Sequence, residues 1–223
     1  MNVTFEMVRS SPEIRTYITQ ADASLTALGF TEHSFAHVTK CAEVAARILT
    51  QLGYTPKEVE LARIAAYMHD IGNVVNRHDH ALSGATMAFR ILDKMGMEPP
   101  DVAAVITAIG HHDDSTAYPV NAIAAALILA DKTDVRRSRV RNKDMSTFDI
   151  HDRVNYSVRR AATSINPERT AITLDLSVDP QYSSVMDYFE IFLERMILCR
   201  KAAERLKLQF RLVINGQRLM SPP

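Results

Sequence analysis

Two adjacent residues, His69 and Asp70, have the clearest potential for chemistry in this sequence. They end the segment Ala65-Ala66-Tyr67-Met68, whose small and apolar residues are typical of a buried helix. Imidazole and carboxylate groups both bind divalent metal ions once they are deprotonated. A buried carboxylate without a partner costs on the order of several kcal/mol. Asp70 therefore requires a cation beside it, which is either a metal ion or an arginine side chain.

Other candidate metal ligands lie at or near the ends of further helical patterns. They are His33, His37, His80, His111, His112 and Asp131. His37 lies on an apolar stripe, with His33 one helical turn earlier on the same side. A single histidine on such a face is more often a core residue bonded to the backbone, and the pair His111-His112 could also be a polar helix end. We expect five helices to bring these ligands to one centre around His69 and Asp70.

Helix-boundary signals position the candidates. Thr55-Pro56-Lys57-Glu58 combines a capping residue, a proline at the first helical position and a capping box. It predicts the helix that ends at His69. A second helix is expected from about Thr31 to Gly53, and Asn121 is expected to cap the helix that leads to Asp131.

Composition excludes several classes of protein. The 223 residues are 47% hydrophobic and carry no net charge, so no overall field attracts nucleic acid or an acidic membrane. No apolar stretch reaches the ~20 residues of a membrane span, and the N-terminus lacks the pattern of a signal peptide. Cys41 and Cys199 are far apart in helical patterns, which favours buried thiols in a reducing compartment. We expect a soluble cytoplasmic protein that binds neither membranes nor long nucleic acids.

A basic cluster follows the last candidate ligand. It comprises Arg136-Arg137-Ser138-Arg139-Val140-Arg141-Asn142-Lys143. Arginine side chains match phosphate oxygens in geometry and charge. We therefore predict that Lys132, Arg136 and Arg137 bind a phosphorylated substrate, although the cluster could also be a solvated turn.

The pattern changes after about residue 150. Residues 171–178 alternate with period two, as a half-buried strand does, and residues 158–165 are expected to pair with them. A long amphipathic helix over 186–206 and a strand over 210–214 complete a ββαβ unit. We predict a helical domain at 1–150 and a small α+β subdomain at 151–223. We assign no chemistry to this subdomain, which would cover the helical core or form a homo-oligomer.

The arrangement of His37, His69-Asp70 and Asp131 resembles the HD superfamily of metal-dependent phosphohydrolases. The resemblance covers about residues 30–140. It implies a mainly α fold, a helical HD-domain bundle to which the C-terminal α+β unit is appended. It also implies that these four residues hold a first metal ion.

Additional histidines extend the resemblance to binuclear members, including the HD-GYP branch. His80-Ala81-Leu82-Ser83-Gly84 and His111-His112-Asp113 resemble their extra ligands. Asp70 would bridge to a second ion bound by His80, His111 and His112. His33 stands where a glutamate of that branch serves a further metal.

Two motifs depart from the family. The GYP tripeptide is replaced by Ala117-Tyr118-Pro119, which argues against hydrolysis of a cyclic dinucleotide. The lysine that often follows the His-Asp motif is Asn73, which would alter how a substrate phosphate is held.

The resemblance implies hydrolysis of a phosphoester or phosphoanhydride in a small phosphorylated metabolite or nucleotide. Two divalent ions, whose identity is open among manganese, magnesium, iron, zinc, cobalt and nickel, would share a bridging water and convert it to hydroxide. The predicted catalytic residues are Asp70, His80 and Lys132. Two alternatives stay open, a sensor or scaffold without activity and a di-iron oxygenase.

Overall fold

A helical body occupies the first part of the chain, and a small sheet follows it. The computed structural model describes residues 3–114 and 116–220, so that Met1, Asn2 and residues 221–223 of the predicted domains lie outside the described residues. The helices are α1 (Phe5–Ser10), α2 (Pro12–Ala27), α3 (Phe35–Leu52), α4 (Pro56–Met68), α5 (His80–Lys94), α6 (Pro99–Gly110), α7 (Ala122–Lys132), α8 (Ile150–Ser157) and α9 (Val185–Arg205). The strands are β1 (Val158–Ile165), β2 (Ala171–Val178), β3 (Gln209–Ile214) and β4 (Gln217–Met220). The mainly α class and the α+β appendage are therefore confirmed.

Local capping sets most helix boundaries. Thr55 and Glu58 form the predicted capping box at the start of α4, and Asn121 caps α7 through its side chain. Helix α3 begins at Phe35, four residues later than expected. The hydroxyl of Ser34 accepts a hydrogen bond from the backbone of Ala36, and this capping requires an extended backbone at Ser34. Residues before it, including His33, consequently precede the helix.

Small residues allow the central helices to pack closely. In α4, Ala62, Ala65 and Ala66 are fully buried, and nearly every residue of α7 is buried as well. The larger side chains Leu127 and Ile128 have no exposed surface, and each contributes about 1.5–3 kcal/mol by burial. Helices α3, α4 and α7 contact one another in this core, and α6 contacts α4 and α7, which fixes the relative positions of their ends.

The C-terminal sheet has the strand order β1-β2-β3-β4. β1 and β2 are antiparallel, β2 and β3 are parallel, and α9 connects the parallel pair. The fourth strand extends the predicted ββαβ unit to ββαββ. Asn215 and Gly216 both have positive φ, at 52° and 79°, and form the tight turn between β3 and β4. Asparagine-glycine is the typical pair for such a hairpin.

Helix α9 packs against α7 as well as against its own sheet. One continuous hydrophobic cluster contains buried residues of the helical body and of the C-terminal unit. The division into domains at residue 150 stays a prediction. None of the helices within residues 3–114 and 116–220 has the length and apolar character needed to cross a membrane.

Candidate metal centre

His37 lies in the first turn of α3 and is fully buried. Its Nδ1 is 2.8 Å from Oδ2 of Asp134. A carboxylate only accepts hydrogen bonds, so Nδ1 carries the proton and Nε2 presents its lone pair. Nε2 lies 3.4 Å from Oδ1 of Asp131 and 3.6 Å from Oδ2 of Asp70. The imidazole is therefore oriented as a metal ligand, with a carboxylate behind it.

His69 has an equivalent orientation at the C-terminal end of α4. Its Nδ1 donates to the carbonyl oxygen of Ala66 at 2.8 Å. Its Nε2 lies 3.1 Å from Oδ2 of Asp70 and 3.8 Å from Oδ1 of Asp131. Because a histidine closes the last turn of the helix, the ring reaches the same point as His37.

Asp70 lies between two pairs of histidines. Its Oδ2 faces His37 and His69 at the distances given above. Its Oδ1 is 3.6 Å from Nε2 of His80 and 4.0 Å from Nε2 of His112. The two carboxylate oxygens thus point to two different sets of nitrogen atoms, as a ligand that bridges two ions does.

His80 and His112 form the second pair. Nδ1 of His80 donates to the carbonyl oxygen of Arg77, and Nδ1 of His112 donates to that of Ile109. The two Nε2 atoms consequently face each other with lone pairs, and they are 3.2 Å apart. Two lone pairs at this distance repel each other unless a cation lies beside them.

The donor atoms fit divalent metal ions. Ligand atoms of His37, His69 and Asp70, and those of Asp70, His80 and His112, each lie within 4.8 Å of one another. Asp131 joins similar groups with His69 and His112, and with His37 and Cys41. Nε2 of His69 and Oδ2 of Asp70 are buried and have no hydrogen-bond partner in the described part of the chain. Such atoms need a ligand that the protein itself does not supply.

Asp131 is oriented by a chain of charges that reaches α9. Nζ of Lys132 lies 2.7 Å from Oδ2 of Asp131, which leaves Oδ1 to face the histidines. The same Nζ is 3.1 Å from Asp114, whose other oxygen accepts from Nε of Arg195 at 2.8 Å. Lys132 and Arg195 therefore hold the carboxylates on the side of the centre that faces α9.

Charge balance keeps the carboxylates ionised. Burial raises the pKa of Asp70, but the charges of His69 and its neighbours outweigh burial and hold this pKa well below its usual range. Burial lowers the pKa of His69, yet Asp70 and Asp131 raise it above its ordinary value. Burial lowers the pKa of Lys132, and Asp131 and Asp114 raise it. The carboxylates of the centre thus carry the negative charge that ligands of a divalent cation need.

Burial and the charges of neighbouring groups, His69 first, lower the pKa of His112 to about 3. The pKa values of His33 and His80 are also lowered, in each case mainly by burial. In the unfolded chain a histidine has a pKa of about 6.5. At a pH between about 3 and about 6.5, the unfolded chain therefore binds a proton at His112 that the folded chain does not bind. The free energy of unfolding therefore falls as the pH is lowered through about 6.5.

The expected contribution of His112 at about pH 5 is on the order of 2 kcal/mol. Urea unfolding of chelator-treated protein at about pH 7 and about pH 5 measures it. His112→Asn should lose correspondingly less stability over this interval than the unchanged protein. An equal loss in both proteins would mean that His112 is already protonated in the fold.

A cavity of about 250 Å³ opens onto the centre. Asp70, His80, His112 and Asp131 line its floor. The cations in its wall are Arg77, Lys132, Arg139 and Arg195, and further lining residues are His33, Phe30, Asp149, His151, Asp152, Asn155 and Phe192. The walls thus come from both the helical body and the C-terminal unit.

His33 lies beside the centre without joining its ligand groups. Its ring centroid is 5.4 Å from that of His37, and its Nδ1 donates to the carbonyl oxygen of Thr31. His111, next to the buried His112, belongs to none of the ligand groups found within the described residues and does not line the cavity. Of the two adjacent histidines, only His112 is directed at Asp70.

Arg136 and Arg137, which the sequence predicts to bind substrate, are not among the described residues that line the cavity. The guanidinium of Arg136 pairs with Glu32 at 2.8 Å and with Asp134 at 3.1 Å. Arg137 donates to the carbonyl oxygen of Tyr156 and lies over its ring. The basic cluster therefore ties loops together, and only Arg139 from it reaches the cavity.

Comparison with known families agrees with this geometry. The family model named HD domain matches residues 34–149, more than half of the chain. The chain belongs to the HD domain family. HD domain proteins are mostly metal-dependent hydrolases, and all the candidate metal-binding clusters described above lie within the matched range. No curated protein matches the sequence.

Several residues of this HD domain centre escaped the sequence interpretation. Asp134, which accepts the hydrogen bond from His37, lies about one helical turn after Asp131. This spacing was the one sequence feature that could have placed it near the centre. Arg77 lies in the connection between α4 and α5, where no sequence pattern indicates a role for it. Phe192 and Arg195 lie on α9, to which no chemistry had been assigned, and only tertiary packing brings them to the cavity.

Proposed function

We propose that this HD domain protein is a metal-dependent phosphohydrolase that cleaves a phosphoester or phosphoanhydride bond in a small phosphorylated metabolite or nucleotide. The single observation that carries this proposal is Asp70, whose two oxygens face separate pairs of histidines at the floor of a cavity. His37, His69, Asp70 and Asp131 would hold one divalent ion, and Asp70, His80 and His112 a second.

Bound divalent ions supply Lewis acidity to a phosphoryl oxygen and lower the pKa of a water molecule. The protein's part is to keep the ligands ionised and oriented. Asp134 does this for His37, the Ala66 carbonyl for His69, and Lys132 for Asp131. None of these groups needs to reorganise before reaction, which favours catalysis.

Cations in the cavity wall support an anionic substrate. Lys132 and Arg195 both contact Asp114, Arg77 lies next to His80, and all three cations line the cavity. Lys132 keeps its charge, because its pKa is raised by Asp131 and Asp114 against the effect of burial. We assign the phosphate contacts to these residues, in place of Arg136 and Arg137.

Cavity size limits the substrate. About 250 Å³ accommodates one phosphorylated small molecule, which is below the usual range of drug-sized ligand pockets, about 300–1,000 Å³. A long nucleic acid would instead require an extended basic groove. These considerations support a small metabolite or a mononucleotide.

The test is phosphate release from a panel of phosphorylated metabolites and nucleotides, with each divalent ion supplied in turn. We expect turnover of at least one substrate, and a loss of about 10²-fold or more in kcat/KM for Lys132→Met, since a preorganised charge is removed. Lys143→Met, an exposed residue of the same charge outside the cavity, is the matched control and should retain full activity.

Other outcomes would overturn the proposal. Bound metal without turnover across the panel would indicate a sensor or scaffold. Bound iron together with substrate-dependent oxygen consumption would indicate the oxidative chemistry that some HD-fold proteins perform.

A further inference from the structure

The two halves of the metal centre differ in how the protein satisfies their ligand atoms. In the first half, Nε2 of His69 and Oδ2 of Asp70 are buried and have no hydrogen-bond partner in the described chain. In the second half, Oδ1 of Asp70 accepts a hydrogen bond from the side-chain amide of Asn73 at 2.9 Å. Nε2 of His80 faces Nη1 of Arg77 at 3.3 Å.

Arg77 thus lies where a second ion would meet its ligands. The same Nη1 is 3.3 Å from Oδ1 of Asn73, so that Asn73 connects the guanidinium to Asp70. A guanidinium has no acceptor atom, and its proton stays bound at any pH a protein tolerates. The contact with His80 consequently uses the lone pair that a metal ion would need.

We propose that Arg77 competes with the second metal ion for His80, so that the centre holds one ion tightly and the other weakly. The first ion meets two ligand atoms, Nε2 of His69 and Oδ2 of Asp70, that no group of the described residues satisfies. The second must displace a hydrogen bond and approach a fixed positive charge, and both effects lower its affinity.

The Phe30 ring also holds the guanidinium of Arg77 in this position. Its guanidinium carbon is 5.4 Å from the centre of the Phe30 ring, and Phe30 is 40% exposed at the cavity. An arginine over an aromatic face is stabilised by the cation–π interaction. Phe30 and His80 therefore both hold the guanidinium where it is, which adds to the cost of displacing it by a second ion.

The test is calorimetric titration of chelator-treated protein with Mn²⁺ alone, so that it does not depend on activity. We expect the unchanged protein to bind one ion tightly and a second more weakly. Arg77→Gln should bind the second ion about tenfold more tightly or better, with the first affinity unchanged. Arg77→Lys, which keeps the charge, should stay close to the unchanged protein.

Arg90→Gln is the matched control. Arg90 is exposed on α5, the helix that begins with His80, so this variant loses the same charge without touching the centre. It should leave both affinities unchanged. Circular dichroism of each variant confirms that the helices are retained.

Two results would overturn the proposal. One is a second affinity that is equal in Arg77→Gln and the unchanged protein, and the other is the absence of a second ion in both. The proposal rests on the metal-binding half of the proposed function and not on hydrolysis. If Arg77→Gln strengthens a weak second binding of metal but the protein releases no phosphate from any substrate, this inference is upheld and the phosphohydrolase proposal is rejected.

Discussion

Asp70→Asn is expected to remove both metal ions while the helical fold is retained. Asp70 offers one oxygen to each half of the centre, and the substitution removes the negative charge and replaces one oxygen with a donor that cannot bind a cation. The affinity for each ion should fall by about 100-fold or more, at least as much as for loss of an outer-shell partner. Hydrolytic activity should be lost with the metal. Elemental analysis after gel filtration measures the metal content, and circular dichroism monitors the fold.

Asp93→Asn provides the control for this prediction. Asp93 is exposed on α5, and its loss should change neither metal content nor activity. His69→Ala and His80→Ala separate the two halves, since each removes a ligand from only one of them. A full metal complement in Asp70→Asn would contradict the bridging role and leave the histidines as the main ligands.

Gly72→Ala is expected to have the largest effect on stability. A β-carbon at Gly72 would lie 2.0 Å from the carbonyl oxygen of His80 and 2.5 Å from the backbone nitrogen of Gly84. Both are backbone atoms of α5, which cannot move aside as a flexible side chain can. Inserting one methyl group into a well-packed core costs about 1–3 kcal/mol, and occasionally more. We expect the upper end of that range, measured by urea unfolding.

The same substitution should weaken the second half of the metal centre. His80 is the first residue of α5, so that a displaced helix start moves its ring away from Asp70. Gly110→Ala is the control, because the added carbon would lie at an ordinary 3.7 Å from Ala85. In a helix this change should be neutral or stabilising by up to about 1 kcal/mol. Equal stability of both variants would refute the close approach at Gly72.

Much of the fold could be predicted because its boundaries depend on local chemistry. Thr55 and Glu58 define the start of α4 through bonds within four residues, and period-two alternation identified β2 without knowledge of its partners. The hairpin at Asn215 and Gly216 was missed although its dipeptide is a typical turn signal. The start of α3 was misplaced because Ser34 and Thr31 are both plausible caps, and only Ser34 makes the hydrogen bond.

The site was harder to predict where it depends on contacts distant in sequence. The structure brings together six of the predicted ligands, which lie at or near helix ends, because helix ends converge in a bundle: His37, His69, Asp70, His80, His112 and Asp131. His111, also predicted as a ligand, belongs to none of the ligand groups in the described residues, since adjacent residues on a turn point in different directions. Arg136 is bound to Glu32, 104 residues earlier in the chain, which no local pattern reveals. Arg195 reaches Asp114 only because α9 packs on α7.

Because the candidate ligands lie at or near the ends of five different helices, a bound metal ion would cross-link the chain. His37 and Asp131 belong to α3 and α7, so an ion held between them closes a loop that includes α4, α5 and α6. An ion that binds only the folded chain, at a free concentration 100 times its dissociation constant, adds about 2.7 kcal/mol to the free energy of unfolding. The supply of metal in the cell would then set how long the chain survives proteolysis, as well as whether its centre is occupied.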